Sequence, residues 1–116
     1  MDRIWRAAVN SWNGLRTIIR TEAAFREELV LFAVGIPVAF SISGDAGRRL
    51  ALIAVLLLVL IVELLNTAIE KLSDRVTLDQ DPIIKSVKDM GSAAVGLSLI
   101  AAGLVWLWVL LEQIWV

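Results

Sequence analysis

Residues 90–111, MGSAAVGLSLIAAGLVWLWVLL, run for 22 positions without a charge. Inside a bilayer no water is available to the backbone, so a run of this length is restricted to a helix that satisfies its own peptide groups. A second run, LALIAVLLLVLI at 50–61, contains no polar side chain, yet it continues directly into VELLNTAIEKLSD at 62–74. Residues 50–69 therefore cross a membrane only if Glu63 is tolerated inside it. A third run, LVLFAVGIPVAFSISG at 29–44, offers 16 uncharged residues and reaches spanning length if its helix begins near Ala23. Pro37 is expected to bend that helix, which a membrane helix can absorb.

The expected fold is all-α. One membrane domain occupies 1–116, with a surface helix over 1–21 and transmembrane helices over 23–44, 48–72 and 88–112. Hydrophobic residues make up 59% of the chain, more than an ordinary soluble domain carries. Lys and Arg set the orientation. Arg3, Arg6, Arg16, Arg20 and Arg26 precede the first span, and Lys71, Arg75, Lys85 and Lys88 lie between the second and third. Only Arg48 and Arg49 lie between the first and second, and none follows the third. Nine against two places the N-terminus and the 71–89 loop in the cytoplasm. Trp106, Trp108 and Trp115 suit an aromatic belt at the far interface. The opening MDRIWRAAVNSWNGLR has no apolar core after its first charges, so no cleavable signal peptide is expected.

Ile4, Ala8, Trp12, Leu15 and Ile19 recur on one helical face of the N-terminal segment, and Arg3, Arg6, Asn10, Asn13 and Arg20 decorate the rest. This pattern reads as an amphipathic helix lying in the cytoplasmic interface; a simple anchor fits it equally well. SGDAGRR at 43–49 is a short outer turn, and DQDPII at 79–84 reads as a loop broken by Pro82. No internal repeat or low-complexity segment interrupts the chain.

The chemistry is concentrated at the end of the second apolar run. At about 100° per residue, Glu63, Asn66, Glu70 and Asp74 fall within an arc of about 80° and form a stripe about 16 Å long. Placing charge in a membrane is costly, so Glu63 must face protein, water or an ion. A carboxylate capping a packed bundle is the plainer reading of Glu63, and Glu70 and Asp74 taken singly are ordinary surface charges; their alignment favours a site. Glu22, Glu27 and Glu28 gather where the surface helix meets the first span, and Lys88 and Asp89 open the third. His and Cys are both absent, which excludes the usual zinc sites, Ser-His triads, disulfides and thiolate chemistry. Carboxylates without His or Cys suit a hard cation, with Mg2+ favoured. A partly buried Glu suits a general base, and a Lys beside it suits phosphate. Phosphoryl transfer at a membrane surface fits these residues, as does ion transport. The net charge of −1 implies no nucleic-acid partner. None of the motifs GxxxxGK[ST], GxGxxG and HRDxxxxN occurs, so any use of ATP relies on a different construction.

Gly91, Ala94, Ser98 and Ala102 put small residues along one face of the third apolar helix, which permits close helix approach. Either packing within the chain or a homo-oligomer with shared sites accounts for that face.

The sequence resembles the small prokaryotic membrane diacylglycerol kinases. EAAFREE at 22–28, VELLNTAIEKLSDR at 62–75 and KDMGSAAV at 88–95 carry the resemblance, with support from SWNGLR at 11–16. It implies a three-span membrane protein with an N-terminal surface helix, assembled as a homotrimer whose sites form between subunits, in the bacterial inner membrane. It further implies an ATP- and Mg2+-dependent enzyme that phosphorylates the hydroxyl of diacylglycerol to give phosphatidate. By the same resemblance Glu63 is the catalytic base, with Asn66 and Asp89 beside it, and Glu22 and Glu70 hold the metal against the ATP phosphates. Lys88, Asp89 and Arg3 are implied on the nucleotide side. Trp12, Arg16, Glu28, Arg49 and Ser92 correspond to positions tied to the lipid substrate or to site integrity. Asn10 stands where members often carry Tyr, Leu29 where Gly is common, and residues 76–87 match weakly.

A polyprenol kinase shares the ELLNTAIE-type block, while EAAFREE and KDMGSAAV stand closer to the diacylglycerol branch. An ion-coupled, non-enzymatic subunit would account for Glu63, but not for Glu22, Glu70, Lys88 and Asp89 together.

Overall fold

The computed structural model describes residues 2–115; Met1, the first residue of the expected surface helix, and Val116 lie outside the described residues. Four helices follow one another: α1 (Asp2–Thr21), α2 (Ala23–Ile42), α3 (Ala46–Val76) and α4 (Pro82–Trp115). Two of them, α3 and α4, are long and apolar enough to cross a membrane. In α2, Arg26, Glu27 and Glu28 occupy the first turns, so its uncharged portion is shorter. That helix continues through Pro37 to Ile42, although proline contributes no amide to the ladder.

Two buried clusters hold the helices together. Ile18, Phe25 and Leu60 join α1, α2 and α3, with Phe32 and Leu64 packed around them. Ala39, Leu52 and Val109 join α2, α3 and α4 near the other end, with Val105 and Trp106 alongside. The indole of Trp106 donates to the Leu52 carbonyl at 3.2 Å, which gives its N–H a partner in an apolar surrounding.

Close approach between helices depends on two glycines. A Cβ at Gly35 would run into the Leu56 side chain, and one at Gly91 would run into the Asn66 amide. Gly91, Ser98 and Ala102 are buried within the chain while Ala94 is exposed. At Gly91 this face packs α4 onto Asn66 of α3 in the same chain. Large apolar side chains remain uncovered elsewhere, among them Leu57, Ile61, Leu97 and Leu104. An outer surface of this kind fits lipid rather than water.

The loop expected over 79–84 is shorter in the structure. Pro82 opens α4, and the Asp81 carboxylate accepts from the amides of Ile83 and Ile84 at 2.9 and 3.1 Å. Proline suits the first helical position, where its missing N–H would have no helical partner, and Asp is a favoured N-cap. A proline read as a breaker is thus a helix start.

The opposite end is tied by arginines. The Asp45 side chain caps α3 by accepting from the Arg48 amide at 2.9 Å. The Arg49 guanidinium donates to the carbonyls of Ser43 and Phe40 at 2.6 and 3.2 Å, satisfying groups at the end of α2. Arg48 pairs with Glu112 at 2.6 Å, and Glu112 also accepts from the Trp108 indole at 3.0 Å.

Candidate active site

The α3 stripe lies against α4 over its middle and opens to the exterior below. Glu63 is half-buried, Asn66 buried, and Glu70 and Asp74 exposed. The Asn66 amide nitrogen donates to Glu70 at 3.4 Å, one turn onward. Its carbonyl oxygen is buried against Gly91 without a hydrogen-bond partner. A buried acceptor without a hydrogen bond is uncommon in a folded protein. Glu28 carries a second buried oxygen without a partner.

The carboxylates converge from three elements. Glu70 and Glu22 lie within Coulomb reach of Glu63, and Glu28 faces the charges of Glu63 and Glu27. Glu22 is the single non-helical residue between α1 and α2, with extended backbone at φ −121° and ψ 110°. Its side chain makes no cap hydrogen bond to α2. Instead it lies 3.7 Å from the ammonium of Lys71, the residue after Glu70.

Cations close the lower end. Lys88 pairs with Asp74 at 2.6 Å, joining α4 to the foot of the stripe. Lys85 donates to Asp89 at 2.7 Å, and that bond holds the Lys85 ammonium above its ordinary pKa. Lys85 and Lys88 line an open cleft of about 560 Å³ together with Pro82 and Ile84 of the α4 start and the 77–81 connection.

Among the described residues, no group of three or more acidic, His or Cys side chains forms a metal cage. Mg2+ does not require one, because it usually keeps several waters and takes one or two carboxylates together with substrate phosphates. The hard oxygens of Glu22 and Glu70, on the open side of the stripe, fit that donor set.

Arg3, Trp12 and Arg16 lie exposed on α1, and Ser92 is exposed on α4. Arg49 is at the other end of α3, about 21 Å along the helix from Glu63, and its guanidinium caps α2. The structure also places Asp74 and Lys71 in direct contact with site residues, which sequence reading does not assign. Asp74 was visible as part of the stripe; its pairing with Lys88 across two helices has no periodic signal.

The family model for prokaryotic diacylglycerol kinase matches residues 9–110. The chain belongs to the prokaryotic diacylglycerol kinase family. A diacylglycerol kinase of Pseudomonas aeruginosa is 47% identical over 111 residues, covering 96% of this chain and 90% of that protein. One from Escherichia coli is 43% identical over 104 residues, covering 90% and 85%. One from Haemophilus influenzae is 35% identical over 96 residues, covering 83% and 81%. The family match spans the whole α3 stripe, Glu22, Glu28, Lys88 and Asp89, while Arg3 precedes it. Two helices of spanning length suit a membrane family of kinases.

Proposed function

We propose that the chain transfers the γ-phosphoryl group of ATP to the hydroxyl of diacylglycerol, giving phosphatidate and ADP. The carrying observation is the Glu63–Asn66–Glu70–Asp74 line with Lys88 fastened to its foot, in a chain of this family. The lipid hydroxyl lies at headgroup depth and the phosphate donor lies in water; a polar stripe running out of an apolar helix joins the two.

In this reading Glu63 takes the hydroxyl proton as the lipid oxygen bonds to the γ-phosphorus. The bond from that phosphorus to the β–γ bridging oxygen breaks, and ADP leaves. Asn66 and Asp89 hold the polar wall beside the transferred group. Lys88 and Arg3 serve the nucleotide phosphates. Glu22 and Glu70 would hold Mg2+, which when bound neutralises phosphate charge. Most of the catalysis is positioning and charge stabilisation, as in phosphoryl transfer generally. Trp12, Arg16, Glu28 and Ser92 serve the lipid side, and Arg49 supports the site at a distance through the outer end of α2.

The same reading makes α2 a third transmembrane helix, tilted into the interface at its charged start, and α1 a surface helix. Ile4, Trp5 and Trp12 on α1 are uncovered by the rest of the chain, as a helix lying in a headgroup layer requires. The N-terminus is cytoplasmic and the membrane is the bacterial inner membrane. The uncovered apolar faces of α3 and α4 leave room for a homotrimer with shared sites. The relatives are named for diacylglycerol, which favours that lipid over a polyprenol.

The test is transfer of label from ATP, with Mg2+, to a short-chain diacylglycerol and to a polyprenol in mixed micelles. Label on the diacylglycerol is expected. Label mainly on the polyprenol would move the substrate, and label on neither by folded protein would overturn the reading.

A further inference from the structure

We propose that Lys71 is a positioning residue that ties the α1–α2 junction to α3 and holds the Glu22 carboxylate beside Glu70. This rests on the reading of Glu22 and Glu70 as the metal-holding pair.

The junction is narrow. One extended residue, Glu22, separates two helices of 20 residues each. Glu is not among the side chains that ordinarily cap a helix N-terminus, and the Glu22 carboxylate makes no hydrogen bond to the amides of α2. Lys71 reaches the junction twice. Its ammonium donates to the Thr21 hydroxyl at 3.1 Å and lies 3.7 Å from Glu22. Among the described residues these are the polar side-chain links between the junction and α3. Arg26 secures the other side by donating to the Ile19 and Arg20 carbonyls at 2.6 and 3.3 Å, which fixes the end of α1 but leaves the Glu22 side chain free to turn.

Electrostatics gives the link its consequence. Glu22, Glu63 and Glu70 are like charges gathered from two elements, and Glu22, on a one-residue connection, is the one most able to swing away. Lys71 supplies a positive charge at the place where repulsion would open the cluster. With three donors on a flexible stem, it can keep Thr21 while Glu22 turns toward a cation. Glu22 and Lys71 are about one-third and one-half exposed, so the pair adds little to overall stability. An exposed pair shifts an equilibrium by about two- to fivefold, and here that equilibrium is the position of Glu22.

The test uses full-length wild type, Lys71→Met and Lys71→Arg in detergent micelles. The first readout needs no metal or nucleotide: tryptic cleavage after Arg20, at the junction. Lys71→Met is expected to speed that cleavage about two- to fivefold, with Lys71→Arg close to wild type. The second readout is Mn2+ binding, with the metal alone, followed by electron paramagnetic resonance. Lys71→Met is expected to weaken it by a similar factor, with KM for Mg-ATP rising and kcat nearly unchanged, and Lys71→Arg restoring both. Unchanged cleavage in Lys71→Met would overturn the clamp. Tighter Mn2+ binding would overturn the positioning role by making Lys71 a competitor of the metal. Glu22→Gln and Glu70→Gln separate the two layers: if neither alters Mn2+ binding, the metal reading fails, and the cleavage result alone decides whether Lys71 holds the junction.

Discussion

The carbonyl oxygen of Asn66 occupies the space that Gly91 leaves open between α3 and α4. A Cβ at Gly91 would collide with that oxygen, so the absence of a side chain on α4 sets where the amide of α3 stands. Asn66 in turn donates to the Glu70 carboxylate, so the contact with α4 is passed on to the charged part of the stripe.

Gly91→Ala is therefore expected to impair turnover more than stability. Overpacking costs about 1–3 kcal/mol, while alanine in a helix interior recovers about 1 kcal/mol relative to glycine. Melting in micelles should change little while kcat falls, because Asn66 must move off Glu70. Unchanged kcat with a large fall in melting temperature would show that Gly91 matters for packing alone.

Lys88→Met is expected to raise KM for ATP about 10- to 100-fold, the loss of one hydrogen bond to a charged phosphate at about 1.5–3 kcal/mol. Asp74→Asn should act in the same direction but more weakly, since it removes only the anchor that orders the Lys88 stem. Initial rates at varied ATP decide this. A lower KM in Asp74→Asn would mean that the carboxylate competes with phosphate.

Glu112→Gln, at the opposite end of the bundle, should lower stability and leave kcat per folded enzyme unchanged. Its pair with Arg48 is about one-third exposed on both sides, so the cost is about 0.5–1 kcal/mol. Thermal denaturation together with turnover at a permissive temperature checks both halves of this expectation.

The polar stripe was legible in the sequence because one helix carries all of it, and a 3.6-residue period suffices to align Glu63, Asn66, Glu70 and Asp74. The long apolar helices were legible for the same reason. Relations between helices were not. Lys71 meets Glu22 only because the chain turns at a single residue, and Lys88 meets Asp74 only because α4 begins at Pro82 and doubles back along α3. Pro82 itself misled as a breaker, since the same residue type ends a helix interior and favours a helix start. The small-residue face left two partners open; Gly91, Ser98 and Ala102 are buried within the chain while Ala94 stays exposed, so the face serves packing within the chain over part of its length.

The most direct test of the central claim is single-turnover phosphoryl transfer from ATP to diacylglycerol by Glu63→Gln. Removal of a general base should slow the chemical step about 10²- to 10⁴-fold, with nucleotide binding and assembly retained. Transfer at the wild-type rate would contradict Glu63 as the base, and with it the account of why an apolar helix carries this stripe.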